Sequence, residues 1–324
     1  MAPEPSAQAG RRRNVRQRAA VPLPLRDGVG PGCIVLPPGP WPLIIDFLTE
    51  RFTNVPREEI AARMVRGDIV DEQGQSIPPK RPYSPYLKVF YYRALPAEER
   101  IPFAEEILFQ DEHLVVVDKP HFLPVTPSGT YLQETVLVRL IRRLGIETLS
   151  PLHRIDRETA GVVLFSCQPG ERSRYHELFA QRAVTKHYHA VAAYRPDLQL
   201  PRVHRSRLVP SEPFTRMREA TFAEDGAPNT ETRVELLQVL SGETHALYRL
   251  SPASGKKHQL RVHMAALGIP IVNDTLYPVH HSASELAASG YSNPLQLLAH
   301  SIAFKDPVTG AERYFESRRQ LQGA

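Results

Sequence analysis

Cysteine is nearly absent from this chain. The two present, Cys33 and Cys167, lie far apart and form no metal-type spacing, which argues against a disulfide framework and points to a reducing compartment. Long apolar runs are missing as well. No stretch approaches the ~20 residues that cross a bilayer, and the N-terminus has no apolar core of a secretory signal. No internal repeat is visible. The expectation is a soluble, cytoplasmic chain with no membrane partner.

Acid is scarce only at the start. Residues 1–30 hold Arg11, Arg12, Arg13, Arg16, Arg18 and Arg26 against Glu4 and Asp27, a net of +4 out of +5 for the whole chain. The rest is close to neutral, so any polyanion footprint on it must be a local patch. The tail mixes Pro, Ala, Gly, Gln and Arg without periodicity and reads as disordered, adding at most non-specific phosphate affinity.

The remaining pattern predicts two folded parts, a small module at 31–100 and a larger domain at 101–324. Pro37, Pro38, Pro40 and Pro42 suggest an extended lead-in. Leu43, Ile44, Phe47 and Leu48 have helical spacing, and a second short helix over 57–66 stops at Gly67. A strand and turn over 68–79 and a strand over 86–92 follow. The charged, Pro-bounded stretch 95–102 is the expected boundary. Beyond it, strands are expected at 114–117, 161–165 and 186–194, with a hairpin of 232–240 and 245–250. Helices are expected at 134–144, closed by Gly145, at 172–182, and from Ser254 as N-cap to Leu267. No element is assigned beyond Pro270. Interleaved helices with hairpins predict an α+β fold, a mixed and largely antiparallel sheet flanked by helices.

The densest chemistry is at 151–166, PLHRIDRETAGVVLFS. Asp156 stands between Arg154 and Arg157 and runs into an apolar strand. A carboxylate kept near positive charge at the edge of a core suits a nucleophile or a base; an Asp merely ion-paired with its neighbours is the structural alternative. The segment resembles the H-R-L-D-x-x-T-S-G-L signature of the RluA-type pseudouridine synthases of the RsuA/RluA superfamily. Three further segments agree in order: Leu114 to Pro120 (LVVVDKP), Lys186-His187-Tyr188, and Ser254 to His263 (SGKKHQLRVH). Departures are Ala160 for Ser, Lys256-Lys257 for Arg-Thr, and Asn273 for Gly.

The resemblance implies the pseudouridine synthase fold and isomerisation of uridine in rRNA or tRNA. It also implies Asp156 as the catalytic carboxylate, Arg261 as its partner, and Tyr188 stacked on the target base or taking its C5 proton. It makes Arg154 or Arg157 the residue that fills the place of a flipped-out nucleotide. Lys186, Lys256 and Lys257 are candidate phosphate contacts, the last two in a first helical turn, and His258 is a candidate RNA contact. Two short helices and a hairpin at 31–100 resemble the small RNA-binding module of such enzymes; a structural extension is the equal alternative.

Isomerisation adds and removes nothing, so no cofactor is expected, and no metal or obligate protein partner is implied. His187 and His189, at i and i+2, find no third ligand and read as structural or RNA-facing, as does the pair His280-His281. A non-catalytic RNA-binding or ribosome-assembly factor on the same fold is the competing class. A glycosidase- or metal-type hydrolase lacks a second paired acid and a ligand cluster.

Overall fold

The computed structural model describes residues 22–93, 98–212, 216–224, 226–279 and 290–322. Most of the basic tail, 1–21, and the pair His280-His281 lie outside these residues. The described chain forms two compact units: 22–26 with 30–93, and 27–29 with 98–322. No described helix is long and apolar enough to cross a membrane.

The first unit runs β1 (Gly32–Val35), α1 (Ile44–Arg51), α2 (Arg57–Val65), β2 (Ile69–Asp71) and β3 (Lys88–Tyr91), with the strands antiparallel in the order β1-β3-β2. Its core is built from Ile44, Phe47, Leu48, Ile60, Met64 and Val89, which are the helical-period apolar positions plus the inward face of β3. The first strand differs from expectation. The lead-in before the prolines pairs with β3, because Ile34 and Leu36 find this core. Residues 22–26 are ordered too. Arg26 lies 2.6 Å from Asp68 and stacks on Tyr92, whose hydroxyl donates to the Pro24 carbonyl at 2.9 Å. The Arg26 charge, counted above with the tail, is therefore engaged within the unit.

The second unit is built on a sheet of ten strands. Its elements are β4 (Glu106–Gln110), β5 (Leu114–Lys119), α3 (Val136–Leu144), β6 (Ser150–Pro151), β7 (Ala160–Ser166), α4 (Arg172–Ala180), β8 (Thr185–Ala193) and β9 (Arg202–Ser206). There follow β10 (Leu208–Pro210), β11 (Met217–Glu219), β12 (Thr230–Val239), β13 (His245–Pro252), α5 (Gln259–Ala266), β14 (Leu297–Lys305) and β15 (Glu312–Glu316). The order is β4-β5-β7-β14-β8-β13-β12-β9, with β15 on β14 and β6 on β7; β10 and β11 form a separate two-stranded arm. Every pairing is antiparallel except β7 with β14. The α+β architecture is thus the expected one.

Two details position the site. The Thr135 hydroxyl caps α3 and Gly145 closes it with φ +69°, a conformation only glycine adopts cheaply. At Gly161, in the Asp156 segment, φ is +111° and an added Cβ would sit 2.2 Å from the Ala299 carbonyl oxygen. That glycine lets β7 close against β14, which joins the two halves of the sheet. Strand β14 itself was not anticipated. Most of its residues are buried, so it lacks the alternation that marks a half-exposed strand.

Candidate active site

Asp156 lies in the loop between β6 and β7, and three anchors hold that loop to the segment after β5. The ammonium of Lys119, fully buried, donates to the carbonyls of Pro120 (2.9 Å), Leu123 (2.8 Å) and Arg157 (3.0 Å). His121 Nδ1 donates to the Glu158 carbonyl at 2.6 Å, and Arg157 Nε donates to the Phe122 carbonyl at 3.2 Å. The loop is closed by the Thr159 amide on the Asp156 carbonyl, 3.2 Å. This is the structural content of the Lys119-Pro120 match. The motif alone assigns the lysine no task; its three carbonyl partners do.

Burial draws the Lys119 pKa down to about 7, with Glu158 and Asp156 opposing the fall. Between about 7 and 10.5 the unfolded chain then binds a proton that the folded one does not, so this group makes stability rise with pH over that window. Lys119→Met should remove that slope. It should also lower the unfolding free energy at pH 6 by about 3 kcal/mol, because three buried carbonyls lose their donor. Denaturant titrations of both proteins at pH 6 and pH 9 check this. Equal slopes against pH would show that the lysine is not the titrating group.

Arg261 approaches Asp156 from helix α5. Its guanidinium is 1% exposed and grips Asp274, also 1% exposed, through Nε at 2.8 Å and Nη2 at 2.7 Å. The third nitrogen, Nη1, lies 3.5 Å from Asp156 and 3.9 Å from Glu158. Burial opposes the charge, but Asp274, and behind it Asp156 and Glu158, keep the arginine protonated. The expected Asp156–Arg261 contact exists, yet it is the longer one. Asp274 also accepts the amides of Leu276 and Tyr277, so it fixes Arg261 to a turn that sequence reasoning passed over. No second acid with a claim on the reaction is expected from the sequence, yet two acids, Asp274 and Glu158, flank Arg261. Neither lines the cavity, however, whereas Asp156 does.

The start of α5 also differs from expectation. The helix begins at Gln259, not after Ser254, because His258 adopts φ +56°. Ser254 serves a different purpose. It accepts the Glu231 amide at 3.1 Å and donates to Gln259 Oε1 at 2.8 Å, while Gln259 Nε2 binds the Glu231 carbonyl and Thr232. This buried polar seam ties loop 253–258 to β12. Lys256 and Lys257 are therefore loop residues, exposed at the cavity rim, and not part of a first helical turn.

The left-handed turn aims His258 at the site, with Nε2 at 3.9 Å from Asp156 and Nδ1 at 2.9 Å from the Tyr277 hydroxyl. That hydroxyl also accepts the Met217 amide at 2.8 Å. Burial lowers the His258 pKa against the pull of Asp156, which favours the neutral imidazole. Tyr188, two residues from Lys186 on one face of β8, lines the cavity with it. Burial, then the negative charge of Asp156, pushes the Tyr188 phenol far up, so it is a neutral ring and donor and poorly suited to take a proton.

Asp156, Tyr188, Arg261, Arg154, Arg157, Lys186, Lys256, Lys257 and His258 all line one cavity of about 940 Å³. Arg154 is exposed, while Arg157 is held by Phe122, Glu158 and the Tyr131 ring at 4.9 Å. The Lys186 ammonium donates to the Ser254 carbonyl at 3.2 Å, and burial lowers its pKa. His187 bonds Ser251, and His189 stacks on His300 at 3.8 Å. Both take the face of β8 opposite Tyr188, as strand alternation requires.

Among the described residues, His204, Glu219 and His263 are close enough to share a metal. Both His263 ring nitrogens are already engaged within the fold, Nδ1 with the Thr232 hydroxyl at 3.0 Å and Nε2 with the Ser206 and Thr230 hydroxyls at 3.1 Å.

The family model described as RNA pseudouridylate synthase matches residues 113–266. An uncharacterized RNA pseudouridine synthase of Zymomonas mobilis is 32% identical over 214 residues, covering 64% of this chain and 92% of that protein. The ribosomal large subunit pseudouridine synthase C of Haemophilus ducreyi is 28% identical over 281 residues, 83% of this chain and 86% of that one. Among solved structures, human RNA Pseudouridylate Synthase Domain Containing 1 aligns with a TM-score of 0.53 at 20% identity, over 68% of this chain and 86% of that one. That likeness concerns the fold.

Proposed function

The chain belongs to the RNA pseudouridine synthase family, and on that premise we propose that it isomerises specific uridines of structured rRNA or tRNA with Asp156 as the reacting carboxylate. The observation that carries this reading is the position of Asp156. Its carboxylate is 26% exposed at the cavity and stands 3.5 Å from an arginine that Asp274 already holds. It is free to move toward a substrate without first breaking a short ion pair.

The reaction must break N1–C1′, turn the base, and join C5 to C1′. As the bond breaks, C1′ becomes electron-poor, and Asp156 either attacks it or removes the C2′ proton. Arg261 fixes the carboxylate's direction. Tyr188 supplies a flat, neutral face for the freed uracil, and the Nε2 edge of His258, 3.9 Å from Asp156, is placed to meet a polar group of the uracil or ribose there. Once C5 has joined C1′, Asp156, released from C1′ or having returned its proton to C2′, is again a free carboxylate and is the base at hand for the C5 proton. No cofactor enters this scheme.

A base cannot turn inside a stack, so the nucleotide is flipped into the cavity. Arg154, unlike Arg157, is unencumbered and suits the vacated place; Arg157 secures the catalytic loop. Lys186, Lys256 and Lys257 suit the phosphates on either side. The 31–100 module is a candidate second RNA contact. Arg57, Arg63 and Arg66 are engaged by Asp46, Glu59 and Asp68; Arg51 and Lys80 are among the exposed cations that could make it. An rRNA or tRNA substrate suits the cytoplasm.

The test is pseudouridine mapping of total RNA, by carbodiimide-dependent primer extension, from cells with and without the gene. Loss of one or a few sites, restored by the wild-type gene, is the expected outcome and identifies the substrate. An unchanged map from cells known to express the protein would overturn the proposal.

A further inference from the structure

The arm of β10 and β11 stands apart from the main sheet. Its inner residues, Leu208 and Met217, pack on Val262, Ala265 and Tyr277, so it lies on α5, the helix that carries Arg261. The Met217 amide reaches the Tyr277 hydroxyl, which reaches His258, which faces Asp156. Two hydrogen bonds and a 3.9 Å approach thus connect the arm to the reacting carboxylate.

Past β11 the chain makes a tight turn at 221–224. The Glu224 carboxylate accepts the Thr221 amide at 2.8 Å, the Thr221 hydroxyl at 3.1 Å, and both Arg218 terminal nitrogens at 2.5 and 2.7 Å. The residue held out by this brace is Phe222, which is fully exposed. A phenylalanine left wholly in water on a four-bond brace gains nothing from burial in this chain. Arg207, the residue just before β10, accepts the Ala220 amide on its carbonyl at 2.8 Å, and its side chain is exposed and makes no ion pair among the described residues. Arg216 lies 5.0 Å over the Tyr277 ring. An exposed aromatic ring on an arm that also carries arginines fits an unpaired nucleobase with its phosphate.

We infer that the β10–β11 arm is an RNA-docking element, in which Phe222 stacks on an unpaired base flanking the target uridine and Arg207 meets the adjacent phosphate. Phe222 is five residues past Met217, a reach of at most about 17 Å, so the base it takes is a few nucleotides from the one in the cavity. This rests on the proposed action on RNA and adds a contact outside the catalytic cavity.

The test uses the full chain and a fluorescent single-stranded oligoadenylate of about 12 nucleotides, a length within known single-strand site sizes, with an RNA duplex of equal length as control. Binding is read by anisotropy at fixed ionic strength, since phosphate contacts depend on salt. Phe222→Ala should weaken single-strand binding by about 5- to 100-fold, the range for one lost base–aromatic stack. Phe222→Tyr should restore it, and duplex binding should change by less than about twofold. In the Trp41→Phe, Phe222→Trp protein, the oligonucleotide should quench the new indole. Unchanged affinity in Phe222→Ala with no quenching would overturn the inference and leave the catalytic reading intact; failure of the wild-type protein to bind either RNA would count against both. If Phe222→Ala instead dissolved a self-associated form in sedimentation while leaving RNA affinity intact, the ring would be a protein contact and the inference wrong.

Discussion

Asp156→Asn should reduce pseudouridine formation at the mapped site to below about a thousandth of the wild-type rate while leaving RNA affinity within about twofold. The asparagine amide is nearly isosteric, but it can neither attack C1′ nor accept the C2′ proton. Binding should persist because the substitution removes one negative charge near a polyanion and breaks no short ion pair; the nearest cation, Arg261, is 3.5 Å away and is held elsewhere. Single-turnover kinetics and anisotropy on the same RNA separate the two effects. Residual turnover above about a tenth would mean that another group does the chemistry, and Glu158, 3.9 Å from Arg261, would be examined next.

Arg261→Met should have the larger structural effect. It leaves the Asp274 carboxylate buried without its partner, and removing one member of a buried pair costs roughly 3–5 kcal/mol. Adding Asp274→Asn should recover a substantial part of this. The amide is neutral, and its Oδ1 can still accept the amides of Leu276 and Tyr277, both of which use that oxygen now. Activity should not recover with stability. Assayed well below its melting midpoint, the double variant should show turnover lowered by about 100-fold or more with KM nearly unchanged, as when a fixed donor is removed from a reacting group. Recovery of both stability and turnover would mean that Arg261 supports the fold alone. Denaturant unfolding beside steady-state kinetics distinguishes the cases.

Much of the fold was legible because several elements carry strong local signals. Helix α3 has a dense apolar run, of which Val136, Val138, Leu140 and Ile141 are buried, between a threonine cap and a left-handed glycine. The β12–β13 hairpin alternates around a turn at Gly242. Strand β1 was hidden among prolines, and β14 was hidden by burial on both faces. The false start at Ser254 has a different origin. Serine before a helix usually caps it, but here Gln259 captures the hydroxyl and His258 takes the left-handed turn. A single sequence gives no sign of which of two hydrogen-bonding fates a serine will meet.

The sequence by itself determined the chemistry on offer. Four ordered motifs supply Asp156, Tyr188, Arg261, the flanking Arg154 and Arg157 and a set of lysines, and residue identity cannot be undone by folding. It also determined the glycine at 161, since no side chain fits where β7 meets β14. Tertiary structure alone decided which partners these groups have. Arg261 and Asp274 are 13 positions apart in sequence and Arg261 and Asp156 are 105 apart, so which acid takes the short contact depends on how α5 and the following turn pack, not on any local pattern. The same holds for Lys119, whose three carbonyl acceptors come from two separate segments. Long-range hydrogen bonds are set by distances that exist only after the chain has collapsed, and a linear pattern does not encode those distances.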